Sequence, residues 1–171
     1  MAPTSAGRER LARYANRITR HETDTDSGVE VARDIHFLKG YTVFNVEQNR
    51  AFYRPSTDSI VLPLFEAFCD PESYYATLAH ETTHWTAHES RLARDFGTKR
   101  FGSEGYAIEE LVAELGAAFL CADLDLTLEP REDHAAYIAN WLDVLQTDNR
   151  AIFAAASHAQ QLRKHMATTP E

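Results

Sequence analysis

Cysteine is scarce in this chain, with two among 171 residues. Cys69 and Cys121 lie far apart and match no metal-binding or redox spacing. A disulfide framework and a thiolate metal site are therefore excluded as organising principles, and two small thiols in a reducing compartment are expected. Positive charge is also short: 17 Lys and Arg face 26 Asp and Glu, for a formal net charge of -9. That balance argues against a general nucleic-acid binder and leaves an acidic surface that repels DNA or imitates it. No apolar run approaches the length of a membrane span, and Met1-Ala2-Pro3-Thr4 opens no apolar signal core, so a soluble, cytoplasmic protein is expected. Repeats and low-complexity tracts are absent too. What is present, 44% hydrophobic and 11% aromatic residues, is enough for one domain of ordinary size with a real core.

The first 34 residues are polar and charge-mixed, and are expected to be an extension or linker outside a domain spanning 35–167. "RERLARYANRITR" sets Leu11, Tyr14 and Ile18 at helical spacing among arginines, a marginal amphipathic helix with a solvated basic face. From Ile35 the texture changes. "YTVFNVEQ", "RAFYRP" and "DSIVLP" predict two or three strands between about 41 and 63, the last two forming a hairpin around Ser56-Thr57-Asp58. A helix is predicted from about Pro71 to about Asp95, and a second from about Ser103 to Leu124 with Leu111, Val112, Leu115 and Phe119 facing the core. "EDHAAYIANWLDVLQ" and "NRAIFAAASHAQQLRKHM" predict two more, separated by an Asp148-Asn149 break. A small sheet followed by helices is an α+β arrangement.

The first of these helices carries "TLAHETTHWTAH". Residues four apart stack on one face, so His80 and His84 aim their imidazoles at one point, with Glu81 beside them. Neutral imidazole suits Zn2+, and a catalytic site takes three protein ligands and leaves one position to water. Bound zinc lowers the pKa of that water toward about 7, and Glu81 is the general base. The alternative reading is a surface helix with stacked histidines, which predicts no third ligand. His88 is excluded as that ligand, because it sits two turns beyond His80, a rise of about 12 Å; it is expected near the helix end or in the outer cleft.

The third ligand is sought in "IEELVAELGAAF". Glu110 and Glu114 share a face, while Ala107, Ala113 and Ala117 keep that side of the helix thin enough for close approach. Glu110 is assigned to the metal and Glu114 to a ring N–H of a ligand histidine, fixing its tautomer. Glu114 stays open as a rival ligand, and Glu109 as a third.

H-E-x-x-H followed by E-x-x-x-E on a later helix resembles the glutamate-ligand zincin metallopeptidases, whose places are filled here by His80, Glu81, His84, Glu110 and Glu114. A longer resemblance is to the zincin-like metallopeptidase domain of ArdC-type antirestriction proteins and of phage and plasmid polyvalent proteins. It is carried by "AFYRPSTDSIVLP", "YYATLAHETTHWTAH" and "RLARDFGTKRFGSEGYAIEELVAELGAAFL", and covers about residues 41 to 162. The resemblance implies a zincin-like fold and a zinc metallopeptidase from a mobile element, linked to antirestriction, with a protein or peptide substrate that includes a host defence protein. It also implies an edge strand ahead of the active helix that binds the substrate backbone, a place given to Ser59-Ile60-Val61-Leu62. No stretch here supplies the DNA-binding domain of ArdC proteins, so DNA binding is not carried over. A stand-alone peptidase module, a degraded homologue and part of a longer polypeptide all fit that difference.

For the oxyanion, Tyr106 is the first candidate donor and His134 the second; Trp85 and Trp141 are read as core aromatics. The rival function is a non-proteolytic binding protein in which zinc organises the fold and antirestriction comes from occupying a host protein. An intact Glu81 favours catalysis, since a purely structural site has no use for a base beside an open coordination position.

Overall fold

A computed structural model describes residues 42–97, 103–123, 126, 142, 145, 146 and 148–168. The β-branched and aromatic stretch forms three strands: β1 (Thr42–Val46), β2 (Phe52–Arg54) and β3 (Ser59–Pro63). A short 3-10 turn at Pro55–Thr57 and a left-handed Asp58 (φ 48°) fold β2 back on β3 as the expected hairpin. Aspartate tolerates that conformation better than most residues. The third neighbour was not evident from the sequence. β1 runs parallel to β3, Thr42 against Ser59 through Val46 against Pro63, giving the order β1-β3-β2. β3 is thus the central strand, with all five residues buried and both edges paired. That corrects its expected role as the substrate-binding edge, because its backbone groups are committed to β1 and β2.

The sheet rests on α1 (Pro71–Thr86). Asp70 caps this helix, its Oδ1 accepting from Ser73 N at 2.6 Å, and Pro71 follows at the position where its missing N–H costs nothing. Val43, Ile60, Leu62, Tyr74 and Leu78 fill the interface. Asn45 on β1 is buried there and is paired with the Tyr74 hydroxyl at 3.2 Å, so its polar amide is not stranded.

α1 ends at Thr86 rather than near Asp95. The stop comes from side chains that return to its last carbonyls: Arg94 Nη2 donates to Thr83 O at 2.6 Å and Arg91 Nε to Trp85 O at 2.8 Å. The chain then turns through Ala93, which takes a left-handed φ of 49°. α2 (Glu104–Asp123) crosses α1, and α3 (Ala151–Thr168) packs on α2 through Ala155 against Leu111 and Val112. Asp148 caps the break before α3, accepting from Arg150 N at 3.0 Å. The helix expected over 132–146 lies largely outside the described residues, as do the N-terminal extension, His134 and Trp141.

One contact sets the α1–α2 distance. A Cβ on Gly116 would stand 2.6 Å from Thr83 Oγ1. Thr83 is fully buried, and its hydroxyl is bonded to Ala79 O at 2.9 Å, so it has no direction in which to yield. Among the described residues no helix is long and apolar enough to cross a membrane.

Candidate metal centre

The close α1–α2 crossing brings Glu110 over the half-buried turn of α1 that carries His80 and His84. The two Nε2 atoms lie 3.2 Å apart, and Glu110 stands 3.5 Å from that of His80 and 3.6 Å from that of His84. Tetrahedral zinc with bonds of about 2.0–2.1 Å sets its donors roughly 3.3–3.4 Å from one another. One ligand atom from each of His80, His84 and Glu110 meets the others within 4.8 Å.

The far sides of both rings are fixed by carboxylates. His80 Nδ1 faces Glu114 at 3.2 Å, and His84 Nδ1 faces Glu109 at 3.2 Å. With each Nδ1–H donated outward, both Nε2 lone pairs point inward at one spot beside a carboxylate. Two lone pairs and an anion directed at one point repel each other unless a cation stands between them. The donor set therefore fits a divalent metal ion.

Charge agrees with that reading. Burial works against a charged His80, but hydrogen bonds to Glu110 and Glu114 and the nearby charges of Glu81 and Glu114 outweigh it and hold its pKa up to about 10. Without a metal, a proton takes the cation's place. Burial pushes the Glu110 carboxyl up, yet His80, the charge of His84 and a hydrogen bond from Tyr106 bring it below its usual value. Glu109 is likewise opposed by burial and held down by His84 and Arg94.

Glu81 is buried beside the cluster and lines a cavity of about 730 Å³ that opens in front of the imidazoles. Phe52 and Tyr53 of β2 line it, as do Ala93 to Gly97. Tyr106 lines the same cavity one turn before Glu110. His88 sits past the helix end in the cavity rim, its Nδ1 against Ser90 Oγ at 2.8 Å. Trp85 is buried, with the Arg91 guanidinium 3.8 Å over its ring.

Two parts of the site were not seen in the sequence. Glu109, weighed there as a third candidate ligand, meets the outer nitrogen of His84 instead. Arg94 is buried against Glu109 with Nη2–Oε1 at 2.8 Å and Nε–Oε2 at 3.2 Å. Its side-chain length and charge were visible, but its position depends on where α1 stops.

Comparison with known proteins shows the family and the fold. The family model described as zincin-like metallopeptidase matches residues 34–158. An uncharacterised protein of Sinorhizobium fredii, y4eC, is 52% identical over 118 residues, 69% of this chain and 38% of its own length. A DNA primase TraC of Escherichia coli is 48% identical over 139 residues, 81% of this chain and 13% of its own. The Mn(II)-bound crystal structure of the antirestriction ArdC protein from plasmid R388 superposes with a TM-score of 0.64 at 41% identity, over 75% of this chain and 49% of that one. Its metal-free form gives 0.60 at 38% identity. The chain thus spans about half of ArdC or less of these relatives, whose whole-protein activities belong to the longer chains.

Proposed function

We propose that this chain, which belongs to the zincin-like metallopeptidase family, is a zinc-dependent peptidase whose ion is held by His80, His84 and Glu110. The observation that carries the reading is the convergence of two inward Nε2 atoms and a carboxylate at metal-ligand spacing, beside a buried glutamate in an open cavity. Neutral nitrogens with a carboxylate suit zinc, while manganese, the ion in the ArdC relative, is the alternative for the same donors.

Held by His80, His84 and Glu110, a divalent cation would supply Lewis-acid polarisation of a carbonyl and would acidify a water. Glu81 then accepts the water's proton on its carboxylate and delivers it to the leaving amine. Glu114 and Glu109 hold the imidazoles in the tautomer that keeps Nε2 free. Tyr106, whose hydroxyl hydrogen-bonds to Glu110, turns that donor to the oxygen on which negative charge develops. The extended peptide lies in the cavity lined by β2 and Ala93–Gly97.

The likeness to an antirestriction protein supports an antirestriction setting for this reading; the substrate we propose is a host defence protein met in the bacterial cytoplasm. The acidic net charge of -9 favours a second reading, a non-proteolytic protein that occupies a host enzyme. Metal content is measured first, on protein purified without chelator: about one zinc per chain is expected. Glu81→Gln then separates the readings. A peptidase loses peptide hydrolysis by several orders of magnitude while keeping its metal, whereas a binder keeps both metal and antirestriction activity. A wild-type chain that takes up no metal refutes the peptidase.

A further inference from the structure

We propose that Arg94 is a positioning residue for the metal centre, holding Glu109 against His84 and so tying one wall of the cavity to an imidazole that faces the ion. The inference rests on the metal reading above.

Every part of the Arg94 fork is engaged. Nε and Nη2 span the two oxygens of Glu109, Nη1 donates to Thr86 Oγ1 at 2.8 Å, and Nη2 also donates to Thr83 O. The side chain is 1% exposed. A cation so deeply buried is unfavourable unless paired, and stopping a helix needs no such burial. Its pairing has a direction: Glu109 Oε1, which receives Nη2, is the same oxygen that faces His84 Nδ1. The guanidinium therefore fixes which lone pair His84 meets, and with it the ring plane and the aim of Nε2. Without Arg94, Glu109 is a half-buried carboxylate lacking the guanidinium that orients it, which turns toward solvent and releases the ring.

The wall is part of the same unit. Ala87, His88, Glu89 and Ala93 to Gly97 line the cavity, and Arg94 roots that stretch beneath the end of α1. Its neighbour Ala93 holds a left-handed conformation that an alanine rarely adopts, so this backbone is fixed by its surroundings rather than by local preference.

The test is Zn2+ affinity of the full chain, by competition with a chromophoric chelator, alongside thermal melts. Glu109→Gln and Arg94→Gln are each expected to weaken binding by about 10- to 100-fold, and their combination by little more than either alone. Arg94→Lys is expected to fall between, because an ammonium cannot span both oxygens. Arg91→Gln, which removes an arginine from the other side of the same segment, lowers Tm and leaves affinity unchanged. A folded Arg94→Gln protein with wild-type affinity overturns the proposal; should that variant not fold, wild-type affinity in Arg94→Lys and Glu109→Gln overturns it. A wild-type chain that binds no Zn2+ defeats the metal reading itself, and this inference with it.

Discussion

The floor of the cavity and its walls are built by different physics. The floor, where α1 and α2 cross, is held by contact: Gly116 lies against Thr83 with no room for a methyl, and the reactive groups project from two helices that cannot slide. The walls are held by arginines. Arg91 joins the hairpin to the end of α1 through Asp58, the Tyr53 hydroxyl and the face of Trp85. Arg94 joins the following segment to α1 and Glu109. Steric contact fixes distances to fractions of an ångström, as ligand geometry requires, whereas ion pairs and hydrogen bonds can be exchanged and re-formed as a chain enters and leaves. The spacing of the candidate ligands depends on the first and the shape of the cleft on the second, and Arg94 joins the two through Glu109.

That contrast is most directly broken at the floor. Glu110→Ala is expected to abolish stoichiometric metal binding, while Glu114→Ala retains it with affinity lowered about 10- to 100-fold, both read by elemental analysis and chelator competition. Equal losses from the two would erase the distinction between ligand and support. Gly116→Ala forces a methyl against a buried, hydrogen-bonded Thr83; about 1–3 kcal/mol of stability and much of the metal affinity should go together, with partial recovery in a Thr83→Ala background. An unchanged melt would mean that the helices have slack. A charge test sharpens the same point. His80 keeps its proton up to about 10 in the metal-free protein, so near pH 7 an entering cation displaces it and affinity rises with pH. Calorimetry in buffers of different ionisation heat should detect that proton. The metal-free fold responds oppositely: stability contributed by charged His80 is complete below the free imidazole value of 6.5 and is lost as pH rises through about 10.

At Arg91 and Ala93 the effects should be smaller. Arg91→Ala removes a partly exposed ion pair and a cation–π contact, about 1 kcal/mol together, and should shift Tm without altering metal content. Ala93→Gly relieves the left-handed backbone while adding freedom to the unfolded chain, so a net change within about 0.5 kcal/mol is expected in a denaturant titration. A large loss there would show that the alanine methyl itself is needed.

How far the sequence revealed these parts follows from how local each one is. His80, Glu81 and His84 were legible because helical spacing alone brings them together, and Glu110 with Glu114 for the same reason. The role of Glu109 was not. Adjacent helical residues point about 100° apart, and only the crossing of α1 and α2 decides which of them meets which imidazole nitrogen. The alanines of α2 signalled a thin face, but the decisive small residue, Gly116, was overlooked beside them. The three strands and the hairpin were legible from β-branched and turn residues, whereas strand order was not, because β1 pairs with β3 across the intervening β2. The helix end was overshot since "HESRLARDF" contains no glycine or proline to stop it.

That stop has a consequence for how the protein folds. The residues that end α1 lie beyond it, and one of them, Arg94, is anchored in turn by a carboxylate on the next helix. A peptide of residues 71–95 has no such anchor, and its helical order should run past Thr86 in circular dichroism and amide exchange. The mature boundary is therefore set late, when α2 docks. Shortening the first helix, raising the wall of the cleft and orienting the second histidine are then expected to occur together, which amide exchange in the 71–95 peptide against the full chain would check.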